Sequence, residues 1–485
     1  MINKEKLDNL TNEIWKSAEK LRGKFTAAEY QNIVLPIIMI RRLECVIQER
    51  RKGFIEEFKN KFPKLSEEEI EAKALKKEID LFPKLSNKTT WTLSKIIKQV
   101  SETKLDKTFR EYINGFSEEI SELLLVHLGY NETITKMVKA NRLYSIIEQY
   151  STEELGPNKL SGLEVGYIYE ELLKRFTQEN TKVAGDHFTP REVIRLMVGL
   201  LELDFNPKES KSISLYDPAC GTGGMLSVSK EHLLDKCKTE DEKKKVYNLV
   251  QLFGQEYQSQ SFGICKMDMI LREEKEFEIT LGNSLIPNSK NSKEIGDLHY
   301  GRKYNYFISN PPFGVTWSEY ATQARNFKTT RYAPGMPGEG DGALLFLLTM
   351  IEKMKSVEEG GSKICILFNG SPLSNGDCGT GESEIRRYLL ENDLIESIVM
   401  LPDQMFYNTG IFTYIWVLNN NKPKKRKGKV LIINAREQFE KEPKSFGNKR
   451  NRMNEEHRNW VIKKFQSFSE DETCKLFSNK SFAYH

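Results

Sequence analysis

Ser212–Lys236 reads SISLYDPACGTGGMLSVSKEHLLDK. Ser212–Tyr216 is a short apolar run suited to a buried strand. Asp217–Gly224 (DPACGTGG) reads as a turn, because Pro218 cannot continue a sheet ladder and the glycines free the backbone. MLSVSKEHLLDK then reads as a helix. Strand, glycine turn and helix in this order are the unit of a doubly wound α/β sheet, which binds ligands beyond the carboxyl ends of its strands.

The pattern continues outward from this stretch. Downstream strands are predicted at Leu249–Phe253, Glu278–Leu281, Tyr304–Ser309, Lys363–Phe368, Ile395–Leu401 and Thr413–Leu418. The helices between them include SQSFGICKMDMILRE, Asp341–Met354 and Glu382–Asn392. Alternating strands and helices imply a mostly parallel sheet. Upstream, Ala184–Val193 (AGDHFTPREV) precedes a helix, REVIRLMVGLLEL. Thr189 has the chemistry of an N-cap, Pro190 suits the first helical position, and Glu192 follows Thr189 by three residues, as in a capping box.

Residues 1–155 read as a helical domain: Ile14, Trp15, Ala18 and Leu21 recur at helical spacing, as do Tyr30, Ile33, Val34, Ile37, Ile38, Ile40 and Leu43. Pro63 and Pro83 should break helices there, and Arg41-Arg42 is read as a surface pair. Asn158–Thr177 reads as an amphipathic helix leading into a sheet domain over 156–420. Residues 421–485 form a tail with one strand, Val430–Asn434, and otherwise helix-compatible stretches.

Composition narrows the class. The chain has 485 residues, 39% hydrophobic and 29% charged, enough for two or three domains. The polar amino terminus and the lack of a long apolar run predict a cytoplasmic protein without a membrane span. Seven scattered cysteines and six scattered histidines predict no disulfides and no metal site. The net charge is +4, but Asn421–His485 alone carries an excess of nine positive charges. Within it, Lys422–Lys429 (KPKKRKGK) fits either a solvated linker or a contact with phosphates.

Several positions carry chemistry. The turn is not G-x-G-x-x-G, since its glycines are Gly221, Gly223 and Gly224, and it lacks the Lys-Ser/Thr pair of a P-loop. Asp217 ends the first strand and Glu256 the second, where a carboxylate can accept from ribose hydroxyls. Two acids welcome a cationic cofactor and repel a pyrophosphate, which favours S-adenosylmethionine over NAD. The fourth strand runs into Asn310-Pro311-Pro312-Phe313. An amide, carbonyls without competing N–H groups and an aromatic ring can grip a planar amino group. Cys220, inside the turn, reads as a small turn residue rather than a nucleophile.

DPACGTGG followed by NPPF resembles the amino-methylating DNA methyltransferases. More narrowly, the chain is similar to the modification (M) subunits of type I restriction–modification systems. IWKSAEKLRGKFTAAEYQNIVLPIIMIRRLE, GDHFTPREV, DPACGTGGML, LGNSL, SNPPFG, DGALLFLLTMIEKM and LPDQMFYNTGIFTYIWVL carry the likeness in the family's order. The resemblance implies a Rossmann-like methyltransferase sheet that uses S-adenosylmethionine on the N6 of adenine in double-stranded DNA. Asp186, His187, Phe188, Thr189, Pro190 and Arg191 would line the cofactor pocket. Gly221, Thr222 and Gly223 would surround its methionine part, beside Asp217. Glu256 would hold the ribose and Asn283 would lie near the adenine. Asn310, Pro311, Pro312 and Phe313 would form the target-base site. It also implies a specificity (S) subunit that reads the sequence and binds two M subunits, and a restriction (R) subunit. The short stretch after TYIWVL agrees with base reading by another chain. A protein or RNA amino-group methyltransferase and a non-catalytic cofactor-binding subunit remain as alternatives. The helical domain and the tail are candidates for DNA and subunit contact.

Overall fold

The computed structural model describes residues 4–19, 24–179, 189–206, 208, 209, 211–288, 294–407 and 409–482. Contacts divide the chain into two units. One comprises Met1–Asn180 with Lys266–Glu274, and the other Thr181–Cys265 with Lys275–His485. Among the described residues, no helix is long and apolar enough to cross a membrane.

The first unit is helical. Its elements are α1 (Lys4–Glu19), α2 (Ala27–Lys61), α3 (Glu67–Leu81), α4 (Leu93–Gln99), α5 (Glu102–Asn114), α6 (Glu118–Glu122), α7 (Tyr130–Lys139), α8 (Leu143–Ser151) and α9 (Gly162–Glu179). Capping boxes start α2, α3 and α9, Thr26 with Glu29, Ser66 with Glu69 and Ser161 with Glu164. Phe62 and Phe82 precede Pro63 and Pro83 and sit at the C-caps of α2 and α3, as the restricted backbone before proline requires. Ile33, Val34, Ile37, Ile38, Ile40 and Leu43 on α2 are buried, each stabilising the unit by roughly 1.5–3 kcal/mol.

Arg42 overturns the reading of Arg41-Arg42 as a surface pair. Its side chain is buried; it donates to the carbonyls of Leu155 at 2.6 Å and Leu160 at 3.0 Å, and pairs with Glu273. A buried guanidinium needs such acceptors, and the partners lie too far along the chain for local sequence to reveal them.

The second unit follows the alternation. Its elements begin with α10 (Arg191–Leu200), β1 (Ile213–Asp217), α11 (Gly224–Lys236), α12 (Glu240–Leu249) and β2 (Val250–Glu256). Next come α13 (Ser259–Leu271), whose residues from Lys266 on count with the first unit, then β3 (Phe277–Leu281), β4 (Tyr306–Ser309), α14 (Ala321–Ala324), α15 (Ala343–Glu352) and β5 (Lys363–Phe368). Then follow α16 (Ser371–Ser374), α17 (Gly381–Glu391), β6 (Ile395–Met400), β7 (Tyr414–Asn419) and β8 (Lys429–Asn434). The last are β9 (Glu440–Phe446), β10 (Lys449–Arg452), α18 (Glu455–Ser467) and β11 (Cys474–Ser478).

Among the described residues the sheet has nine strands, in the order β11-β8-β6-β7-β5-β4-β1-β2-β3. β1, β2, β3, β4 and β5 pair in parallel, and β7 runs antiparallel between β5 and β6. From β1 the chain steps outward through β2 and β3, whereas β4 and β5 lie on the other side. The order therefore reverses between β1 and β4, which is where a doubly wound sheet opens a crevice. Phe307, Ile308, Ile364, Ile366 and Phe368 are buried in the sheet, with Leu344, Leu345, Leu347 and Leu348 of α15 also in the core.

The tail departs from expectation. It adds β8 and β11 to the main sheet, and β9 and β10 pair separately. KEPKSF has no apolar alternation, so β9 follows from pairing rather than pattern. In the basic run, Lys422 is buried, with Nζ 2.6 Å from Asp393 Oδ1. Arg426 is buried, 2.9 Å from Glu396 and over the Phe465 ring. Those two cations hold the fold; Lys424, Lys425, Lys427 and Lys429 are exposed.

Candidate active site

The carboxyl end of β1 begins the site. Gly221 and Gly223 have φ of +53° and +87°, a region open to glycine at little cost. Gly223 caps α11. A Cβ at Gly254 on β2 would stand 3.0 Å from both Cβ and Sγ of Cys220, so glycine there lets the turn lie against β2. The Cys220 N–H donates to the Gln255 carbonyl at 3.1 Å.

Two carboxylates flank this turn. Glu256 Oε2 accepts from the Gly221 N–H at 2.8 Å, and Oε1 accepts from the N–H groups of Tyr257 at 2.9 Å and Gln258 at 2.8 Å. A carboxylate has about four acceptor positions, so Oε2 keeps capacity for a further donor. Asp217 is buried, and Oδ1 accepts from the Ala219 N–H at 3.0 Å and the Ser309 hydroxyl at 2.7 Å. Its Oδ2 is buried with no partner among the described residues. Burial pushes the carboxyl up to about 7; Ser309 and Ala219 pull it down, and the charge of Glu256 pushes it up.

The fourth strand delivers the second half. Asn310 follows β4, and its Nδ2 donates to Thr189 Oγ1 at 2.8 Å. Asn310 Oδ1 is buried without a partner among the described residues. Pro311 is buried, Pro312 exposed and Phe313 half-buried.

The fold thus brings Asp217, Gly221, Glu256, Thr189 and Asn310, all expected from the sequence, into one linked set. Ser309 joins them and was passed over; a hydroxyl ending an apolar strand beside Asn310 was its signal. Thr189 does not cap α10. Pro190 stands at the N-cap, Thr189 takes the Asn310 amide, and Glu192 pairs with Lys449 instead of closing a capping box. Arg191 turns to Glu231 on α11. Asn283 spends its oxygen on the Leu285 N–H at 3.0 Å and its amide on Glu294 at 3.1 Å. Asp186, His187 and Phe188 lie outside the described residues.

The model of the N-6 DNA methylase family matches residues 163–482, and that of the HsdM N-terminal domain matches residues 10–149. The chain belongs to the N-6 DNA methylase family. With the HsdM domain ahead of it, this methylase has the make-up of a type I modification subunit. It is 28% identical to the methylase subunit of the type I restriction enzyme MjaIX of Methanocaldococcus jannaschii, over 97% of this chain and 79% of that one. A crystal structure of a type I restriction–modification methyltransferase subunit from Streptococcus thermophilus shares its fold, with TM-score 0.77 at 20% identity over 98% and 96% of the chains. A modification subunit of a putative type I restriction enzyme from Vibrio vulnificus YJ016 matches with TM-score 0.62 at 17% identity, over 98% and 92%.

Proposed function

We propose that this methylase transfers a methyl group from S-adenosylmethionine to the N6 of adenine in double-stranded DNA. A separate specificity subunit would choose the sequence, and a restriction subunit would join for cleavage. The observation that carries the reading is Asn310 Oδ1, buried without a partner among the described residues and one strand away from the Asp217–Glu256 pair. Two acids and a glycine turn fit a cationic cofactor with a ribose: Glu256 Oε2 would accept from ribose hydroxyls and Asp217 would face the positive end. The bound cofactor would supply an electrophilic methyl group. The target nitrogen is a weak nucleophile, because its lone pair is delocalised into the ring. Asn310 Oδ1 and the Pro311 carbonyl would accept its hydrogens, and Phe313 would stack on the base. Positioning and electrostatics then carry most of the rate, on a base taken out of the duplex.

The relatives are named as methylase subunits of type I restriction enzymes, which supports DNA over protein or RNA as acceptor. In the complex with a specificity subunit, tritiated methyl should pass to duplex DNA. Preferential labelling of RNA or protein would reject the reading. The isolated chain should methylate DNA poorly, and robust site-specific transfer without a partner would argue against divided labour.

Asp217 gives a pH dependence. Its folded value of about 7 lies above the ordinary 3.8, so the proton favours the folded state. That stabilisation is complete below about pH 4 and is lost as pH rises through about 7. A cationic ligand favours the carboxylate, so cofactor affinity should rise by up to about tenfold per pH unit below pH 7 and then level off. Calorimetric titration of wild type and Asp217→Asn between about pH 5 and 7 checks this. An equal slope in both proteins would show that another group is responsible.

A further inference from the structure

Resting on that reading, we infer that Phe412, with Ile411 beside it, is an apolar wedge that enters the base stack of duplex DNA and fills the place the target adenine leaves. The strand register puts it beside the target site. β4 pairs Ser309 with Ile366 on β5, and β5 pairs Phe368 with Tyr414 on β7. Continuing that count, Pro311 is level with Phe368 and so with Tyr414, two strand spacings or about 10 Å away. Because β7 runs antiparallel to β5, the residues just before Tyr414 stand at the same end of the sheet as Asn310 and Phe313.

At this end three adjacent strands expose apolar side chains. Val315 after β4 is 49% exposed, Leu373 after β5 36%, and Ile411 and Phe412 before β7 49% and 41%. The segments that carry them, 310–316, 369–376 and 404–412, contain no lysine or arginine. Phosphate contact draws chiefly on cations, so this rim suits base faces, which an extruded base uncovers in the stack. Of the four side chains, only Phe412 has a flat ring that can lie between bases as a base does. The backbone around it is braced. The Thr413 carbonyl accepts from the Leu401 N–H at 2.9 Å, and the Ile411 N–H donates to Thr409 Oγ1 at 3.3 Å. Across the loop, the Gln404 carbonyl accepts from the N–H groups of Arg450 at 2.9 Å and Asn451 at 3.2 Å. This role differs from that of Phe313, which would stack on the extruded base itself.

The test uses the complex with the specificity subunit at saturating S-adenosylmethionine. Phe412→Ala should lower the single-turnover rate on matched duplex by about 10-fold to 100-fold, the loss of one base–aromatic stack. A duplex lacking only the target base holds the gap without an extruded base, and there the Kd of Phe412→Ala should rise by the same factor. Phe412→Trp should keep both values within about threefold, and the cofactor Kd should stay within about threefold in either variant. Phe412 is a surface side chain, so both variants should keep the wild-type melting temperature. A normal rate in Phe412→Ala would overturn the inference, as would failure of Phe412→Trp to retain it. An unchanged Kd for the duplex without the target base would also overturn it, placing Phe412 on the extruded base instead. Loss of the specificity subunit on gel filtration would overturn it in favour of a protein-docking patch. Wild type and Asn310→Ala on the same matched duplex judge the underlying reading separately. Wild type without transfer, or Asn310→Ala with normal transfer, would sink that reading and the wedge with it; if both behave as expected, the Phe412 variants test the wedge alone.

Discussion

Asn310→Ala should lower methyl transfer by about 1000-fold while leaving cofactor binding within about threefold. The alanine keeps the Pro311 and Pro312 backbone and so preserves the turn. It removes Oδ1, an acceptor that is buried, unpartnered and free of any structural duty among the described residues. It also releases Thr189 Oγ1, which is partly exposed and can turn to water. The folded protein therefore loses little, whereas the transition state loses the group that holds and polarises the nitrogen. The carboxylates at the ends of β1 and β2 stay in place, so the cofactor should still bind. A tritium-transfer assay beside equilibrium binding separates these effects. Equal losses of binding and transfer would assign Asn310 to the cofactor pocket instead.

Arg331→Met should destabilise the second unit by about 3–5 kcal/mol and lower its melting temperature by roughly 10 °C. Arg331 Nη2 lies 2.5 Å from Asp297 and 2.6 Å from Glu352, and Nη1 donates to the Ser284 carbonyl at 2.7 Å. The Arg331 and Asp297 side chains are fully buried, and the guanidinium covers the Phe327 ring at 4.2 Å. Methionine fills the volume but leaves Asp297 with less compensation. Lys353 remains 2.7 Å from it, and burial pushes that amine down to about 8. The loss should also loosen the turn after β1, because Ser284 Oγ donates to the Pro218 carbonyl at 2.6 Å. Calorimetric melting checks the prediction, and a shift below about 1 °C would mean that the cluster contributes no net stability.

What the sequence could reveal depended on distance along the chain. Lys363–Phe368 matches β5 residue for residue, because an apolar strand bounded by polar turns declares itself locally. The glycine turn and Glu256 were also readable, since each sits at the end of such a run. The Asn310–Thr189 bond spans 121 residues, and the local pattern at Thr189 pointed to a capping box that tertiary contact replaced. Arg42, Arg331 and Lys449 are charged residues that folding buries against distant partners. Their spacing resembles that of ordinary surface charge. The same holds for β9, whose polar sequence forms a strand only because β10 pairs with it.

Nucleoside mass spectrometry tests most directly whether the turn after β4 presents the N6 of adenine for methylation. Duplex DNA would be incubated with the complex and with S-adenosylmethionine carrying a deuterated methyl group. The label should appear as N6-methyladenine with wild type and be lost with Asn310→Ala. Label on cytosine, or N6-methyladenine undiminished in Asn310→Ala, would contradict that assignment.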